Sequence, residues 1–258
     1  MVNLKKYNVF SRDFVLFLTF LLSVSCGTPK NYITKIEGKE IVITNDHKEV
    51  AEIENFIKPY KDHIDTELNI VLAYSPQTID KIGEWQTPIG NLLADITLQR
   101  GNIVFNSREK KDINLCLLNN GGIRSIIPKG NVTLKTAFEI MPFENSAKVV
   151  TLKSEQILEM VNYIISEKKP HPISGIQFTI DKNNQPKNIL IQGKPLENNT
   201  LYNVVTSDYL ANGGDKMDFF KKGTAIYDLD YKLRNIIIDY FKEIDIIPLI
   251  NNKRILIE

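Results

Sequence analysis

The residues best equipped for chemistry stand at the ends of apolar runs. Asn119, Asn120, Gly121, Gly122 and Arg124 follow directly on the apolar segment 113–118. A strand that ends in Asn-Asn-Gly-Gly can turn sharply, because glycine reaches positive φ without steric cost. Two side-chain amides are then left to donate and accept hydrogen bonds, and one guanidinium to clamp a phosphate or carboxylate with two prongs. A second loop carries Phe143, Glu144 and Asn145, and a third runs from Tyr209 through Gly213 and Gly214 to Asp215. Phe143 and Tyr209 lie behind element ends, not within a periodic apolar face, and are candidates to sandwich a flat ring. Such stacking contributes about 1 to 3 kcal/mol per base. Taken singly, each feature has a plainer reading: an ordinary left-handed turn with a surface arginine, or an aromatic plug under a loop.

The 258 residues carry 32 basic and 31 acidic side chains, so no field of one sign attracts nucleic acid, and nucleic-acid binding is disfavoured. Residues 1–25 read as an export signal. Lys5, Lys6 and Arg12 precede the apolar run 14–22, which is short for a bilayer span. Cys26 follows Ser23, Val24 and Ser25, a pattern that resembles a bacterial lipoprotein cleavage site with Cys26 as the acylated first residue. Cleavage there removes three cations and one anion, taking the formal charge from +1 to −1. Cys116, the other of the two cysteines, lies inside an apolar strand and reads as a core thiol.

Around these loops the elements alternate irregularly. Residues 26–60 read as a tether followed by a strand at 39–44 and the start of a helix that reaches about Leu68. Thr87-Pro88 marks a helix start, with a hydroxyl at the cap and proline at the first helical position, and the helix is expected to run to about Arg100. Strands are expected at 70–74, 113–118, 148–152, 176–180, 188–191, 201–206 and 254–257. A turn is expected at 128–131, and helices at 133–140, 155–166 and 232–242, the second capped by Ser154. Even β-α spacing is absent, so the fold class is α+β, a mixed-sheet domain.

In this order the chain carries T-P-I-G-N-L-L-A-D (87–95), N-N-G-G-I-R (119–124), G-N-V-T leading to M-P-F-E-N (130–145), I-S-G-I-Q-F-T-I-D (173–181) and Y-N-V-V-T-S-D-Y-L-A-N-G-G-D (202–215). Together these motifs resemble the C-terminal, substrate-binding domain of the 5'-nucleotidase family, and the resemblance implies such a domain over 61–258. The resemblance implies a site that holds the nucleoside part of a nucleotide between two aromatic rings, Phe143 and Tyr209. It implies that Asn119 and Asn145 bond the base, that Arg124 meets phosphate, that Asp215 takes the ribose hydroxyls and that Gly122 admits close backbone approach. Relatives usually carry another arginine just before the T-x-x-G-N motif. Here Gly83, Glu84, Trp85 and Gln86 occupy that stretch, which leaves Arg124 alone or assisted by Lys81.

Full-length family members carry a metallophosphoesterase domain marked by D-x-H, G-N-H-E or G-N-H-D, and G-H-x-H motifs. This sequence has none of them, and its histidines, His47, His63 and His171, lie outside the shared motifs. No catalytic residue, metal site or cofactor is therefore expected in the chain itself. Three readings remain open. The chain is the nucleotide-gripping half of a split 5'-nucleotidase, with a divalent metal pair on a separate metallophosphoesterase chain; or it is a non-catalytic nucleoside-binding lipoprotein of the bacterial cell envelope; or, more weakly, it is a degenerate structural domain. All three place it in the bacterial cell envelope, exported and lipid-anchored, on the periplasmic side or the surface.

Overall fold

The computed structural model describes residues 4–23, 32–44 and 50–258. The chain divides into two units, Met1–Ala51 and Glu52–Glu258. In the first, helix α1 (Leu4–Ser23) covers the run read as an export signal. Residues 32–44 are irregular, so the strand expected at 39–44 does not form. Ile41, Val42 and Ile43 are exposed there, and alternation alone makes no strand without a neighbour to take its hydrogen bonds. Cys26 lies outside the described residues. Among those residues no helix is long and apolar enough to cross a membrane.

Helix α2 (Ala51–Leu68) begins on the last residue of the first unit and runs through Pro59 in the second, where β1 (Val71–Ser75) follows. Helix α3 (Pro88–Glu109) starts where expected, with Thr87 Oγ1 accepting from Gly90 N. It continues past Arg100 because Gly101 does not stop it. A Cβ at that position would stand 3.4 Å from the side chains of Ile113, Val205 and Leu229, so the glycine lets the helix lie close on the sheet. The chain goes on through β2 (Leu115–Leu117), β3 (Gly130–Thr133), α4 (Leu134–Ile140), β4 (Ser146–Lys153), α5 (Ser154–Glu167) and β5 (Ile173–Ser174). It closes with β6 (Ile176–Ile180), β7 (Pro186–Ile191), β8 (Lys194–Pro195), β9 (Leu201–Ser207), α6 (Asp208–Ala211), β10 (Ala225–Lys232), α7 (Leu233–Glu243) and β11 (Ile255–Ile257).

Two expectations need correction, and one strand carries no clear signal in the sequence. Gly130 and Asn131, read as a turn, belong to β3, which pairs with β1. Strand β10 lacks an uninterrupted apolar run and was not anticipated, but it pairs antiparallel with β4. Ser154 is the first residue of α5, not its cap, and its hydroxyl accepts from Asn199 N.

The centre is a five-stranded mixed sheet in the order β10-β4-β9-β2-β5. Strand alternation divides its side chains between two cores. Cys116, Leu118, Val149 and Val205 pack beneath α3 and α7 with Leu93, Phe105, Ile237 and Phe241. Leu115, Leu117, Val150 and Val204 point the other way, against Ile157, Met160, Val161 and Ile164 of α5. With both faces covered, β2, β4 and β9 read as nearly continuous apolar runs, which is what made them legible. A second mixed sheet, β11-β6-β7-β8, and the β1-β3 ribbon complete the fold.

Cys116 is fully buried, and burial pushes its thiol pKa far up. In a Cys26→Ser chain, a thiol reagent is expected to leave Cys116 unmodified until denaturant unfolds the protein. Stoichiometric labelling under native conditions would contradict this packing.

Candidate functional site

Sheet topology brings the three loops together. Strands β2 and β9 are parallel, so both end at the same edge, with Cys116 opposite Val205. Strand β4 is antiparallel to β9, with Ala147 opposite Ser207, so it begins where β9 ends. Residues 119–124, 143–145 and 208–216 all leave from that edge.

In the first loop Asn119 is extended and Asn120–Gly122 form a 3-10 turn. Neither Gly121 nor Gly122 has positive φ, contrary to the expected left-handed turn. The glycine at 122 is needed for space: a Cβ there would lie 2.8 Å from Asn119 Oδ1. The left-handed residues are in the third loop, at Gly213 (φ 83°), Asp215 (φ 52°) and Lys216 (φ 61°). Non-glycine residues in that region are strained, and the surroundings must hold them there. Asp215 is bonded on every side. Its carboxylate accepts from Asn119 Nδ2 at 2.7 Å and from Tyr209 OH at 2.8 Å. Its N–H donates to Tyr209 Oη at 3.1 Å, and its carbonyl accepts from Tyr163 OH at 2.7 Å. The Tyr209 ring rests on Gly214, where a Cβ would meet it at 2.5 Å.

The second loop is fixed from behind by α7. The buried Arg234 donates to the carbonyls of Met141 and Phe143, pairs with Glu144 and lies 4.1 Å over the Phe138 ring. The bond and charge of Arg234 hold the Glu144 carboxyl below its usual range. Leu233 N donates to Asn145 O at 2.9 Å. Asn145 Nδ2 donates to Asp208 Oδ1 at 2.8 Å, and Tyr209 N reaches the same oxygen at 2.8 Å. Burial pushes the Asp208 carboxyl up, but hydrogen bonds from Asn145, Ser146 N–H and Tyr209 N–H, with the charge of Lys148, leave it below the ordinary value.

These contacts enclose a cavity of about 420 Å³ lined by Asn119, Gly122, Arg124, Phe143, Asn145, Tyr209 and Asp215, with Gly121 as the only further lining residue. All seven residues singled out in the sequence thus meet in one place. Phe143 (42% exposed) and Tyr209 (47%) present open ring surface, and neither packs on another ring among the described residues. Arg124 is the only cation in the lining, its guanidinium carbon 5.8 Å from the Phe143 ring centre. Lys81 donates to Ile123 O and does not line the cavity. Trp85 is buried, and Gln86 Oε1 accepts from Arg254 N and Ile255 N, so this stretch serves packing.

The family model described as "5'-nucleotidase, C-terminal domain" matches residues 71–222. The chain belongs to this family. It is 25% identical over 215 residues to the trifunctional nucleotide phosphoesterase protein YfkN of Bacillus subtilis, covering 76% of this chain and 14% of that protein. It is 24% identical over 187 residues to a 5'-nucleotidase of Vibrio cholerae, covering 69% of this chain and 32% of the relative. The fold is that of a 5'-nucleotidase precursor from Thermus thermophilus, with a TM-score of 0.67 at 22% identity over 80% of this chain and 43% of that one. The chain therefore spans a third or less of these two curated relatives.

Four residues that shape the site escaped sequence reading: Asp208, Tyr163, Arg234 and His171. Asp208 stood beside Tyr209 inside a quoted motif, while the other three act from separate elements and carry no local signal. His171 lines an adjoining cavity of about 460 Å³ that shares Gly121 and Asp215 with the first. Its Nδ1 accepts from Asn120 N at 3.4 Å, so Nε2 carries the proton, and it has no partner among the described residues. Also among those residues, no group of three His, Cys, Asp or Glu is placed to hold a metal ion.

Burial, opposed by the charge of Asp215, pushes the His171 pKa from 6.5 down to about 4. The unfolded chain therefore binds the proton first as pH falls. Stability from the neutral imidazole is complete above about pH 6.5 and is lost progressively toward pH 4, by up to about 3 kcal/mol. His171→Phe is expected to flatten this part of the pH dependence. Urea unfolding at pH 7 and pH 4.5 checks it, and equal pH dependence in both proteins would contradict the assignment.

Proposed function

We propose that this chain supplies the nucleoside grip of a 5'-nucleotidase reaction, and that a separate metallophosphoesterase chain supplies the divalent metal pair and the activated water. The observation that carries this reading is one cavity walled by two open aromatic rings, two amides, a guanidinium and a carboxylate, on a family domain whose sequence lacks the metal motifs. A base stacks between Phe143 and Tyr209, with Asn119 and Asn145 at its polar edge. Asp215 accepts the ribose hydroxyls, since each of its oxygens keeps a free lone pair. Arg124 meets the phosphate. The names of the relatives, a nucleotide phosphoesterase and 5'-nucleotidases, support a role in nucleotide hydrolysis and catabolism. We further place the chain in the bacterial cell envelope, held by a lipid on Cys26, on the strength of its first 26 residues.

One feature favours a second reading, a nucleoside-binding envelope lipoprotein without a catalytic partner: Arg124 is the only cation in the cavity wall. A weak phosphate grip suits a nucleoside better than a nucleotide.

Calorimetry with adenosine is expected to show binding that Phe143→Ala and Tyr209→Ala each weaken by about fivefold to a hundredfold or more. Absence of binding would overturn both readings. Adding the purified chain to the metallophosphoesterase with Mn²⁺ and AMP is expected to raise phosphate release. No gain over the metallophosphoesterase alone would leave only the second reading.

A further inference from the structure

The Asn145 amide can be oriented without ambiguity, because its partner cannot donate. Asp208 accepts from the Tyr209 N–H and is held in its ionised form by its neighbours. An ionised carboxylate only accepts, so the Asn145 NH₂ must face it, at 2.8 Å. Turning the amide over would set two acceptor oxygens against each other with no proton between them. Asn145 Oδ1 is therefore fixed as an acceptor on a residue that lines the cavity, and it has no hydrogen-bond partner among the described residues.

We infer that Asp208 acts as a positioning residue whose grip on Asn145 makes the cavity select rings bearing an exocyclic amine over rings bearing a carbonyl at the same place. The inference rests on the nucleoside reading proposed above. A ring seated between Phe143 and Tyr209 turns its polar edge toward Asn145. A 6-aminopurine or 4-aminopyrimidine offers an N–H to Oδ1. A 6-oxopurine or 4-oxopyrimidine sets a second acceptor against it, leaving both oxygens unpaired on burial. The backbone of this loop is held independently, through Leu233 N on Asn145 O and Arg234 on Phe143 O, so the preference rests on the orientation of one amide.

The test is calorimetry on the full chain with adenosine, purine riboside, which lacks a group at C6, and inosine. Adenosine is expected to bind about tenfold or more tightly than inosine, with purine riboside between them. In Asn145→Ala the three affinities should converge to within about twofold. In Asp208→Asn, whose side chain can donate as well as accept, the amide is free to turn and the ratio of adenosine to inosine affinity should fall several-fold. Thermal melting establishes that both variants are folded. Equal affinities in the unmodified protein, or a ratio that neither variant changes, would overturn the inference and leave the nucleoside reading standing. Failure of all three to bind the unmodified protein would remove both.

Discussion

The pairing of β4 and β9 is the constraint on which the rest depends. It runs unbroken from Ala147 opposite Ser207 to Lys153 opposite Leu201, and both strands are buried on both faces. Because side chains alternate, a slip of one residue would exchange the apolar sets of the two cores and move every loop residue relative to its neighbours. The register is thus locked by hydrophobic burial on both sides of the sheet. The same lock brings Phe143 and Tyr209 to one cavity, although these two residues are 66 positions apart in the chain.

On that edge polar contacts do the finer positioning. Asp215 joins the first and third loops through Asn119 and Tyr209, and Tyr163 reaches it from α5. Asp208 joins the second and third through Asn145. Left-handed backbone at Asp215 and Lys216 is the local cost, offset by hydrogen bonds to the carboxylate, N–H and C=O of Asp215. Ring surface, carboxylate and amides are therefore held in place by the protein's own contacts, and under the proposed nucleoside grip this lowers the ordering entropy of binding.

The sequence disclosed the buried parts of this arrangement because burial leaves a pattern. Ile89, Leu92, Leu93 and Ile96 of α3, like Ile157, Met160, Val161 and Ile164 of α5, recur at helical spacing and are all buried. The three loops of the cavity were legible because each follows an apolar element with glycine, amide or aromatic residues, and the seven positions within them because their motifs resemble those of the family. What stayed hidden depends on partners distant in sequence. Strand β10 alternates partly exposed residues, and only β4 makes it a strand. The apolar alternation at 39–44 had no such partner. Nothing local marks Arg234 as a support, since its contacts are 90 or more positions away. Gly122 does not owe its place to positive φ, because Asn119 Oδ1 occupies the room a Cβ would need, and sequence shows that a side chain is missing without showing what fills that room.

Arg234 never touches the cavity, yet its planar fork holds two carbonyls and a carboxylate of the loop that carries Phe143. An ammonium group, a single point on a flexible stem, cannot span the same set. A change at position 234 therefore acts at a distance, on the loop that carries the ring, and a survey of natural variants that scored only the residues lining the hollow would overlook it.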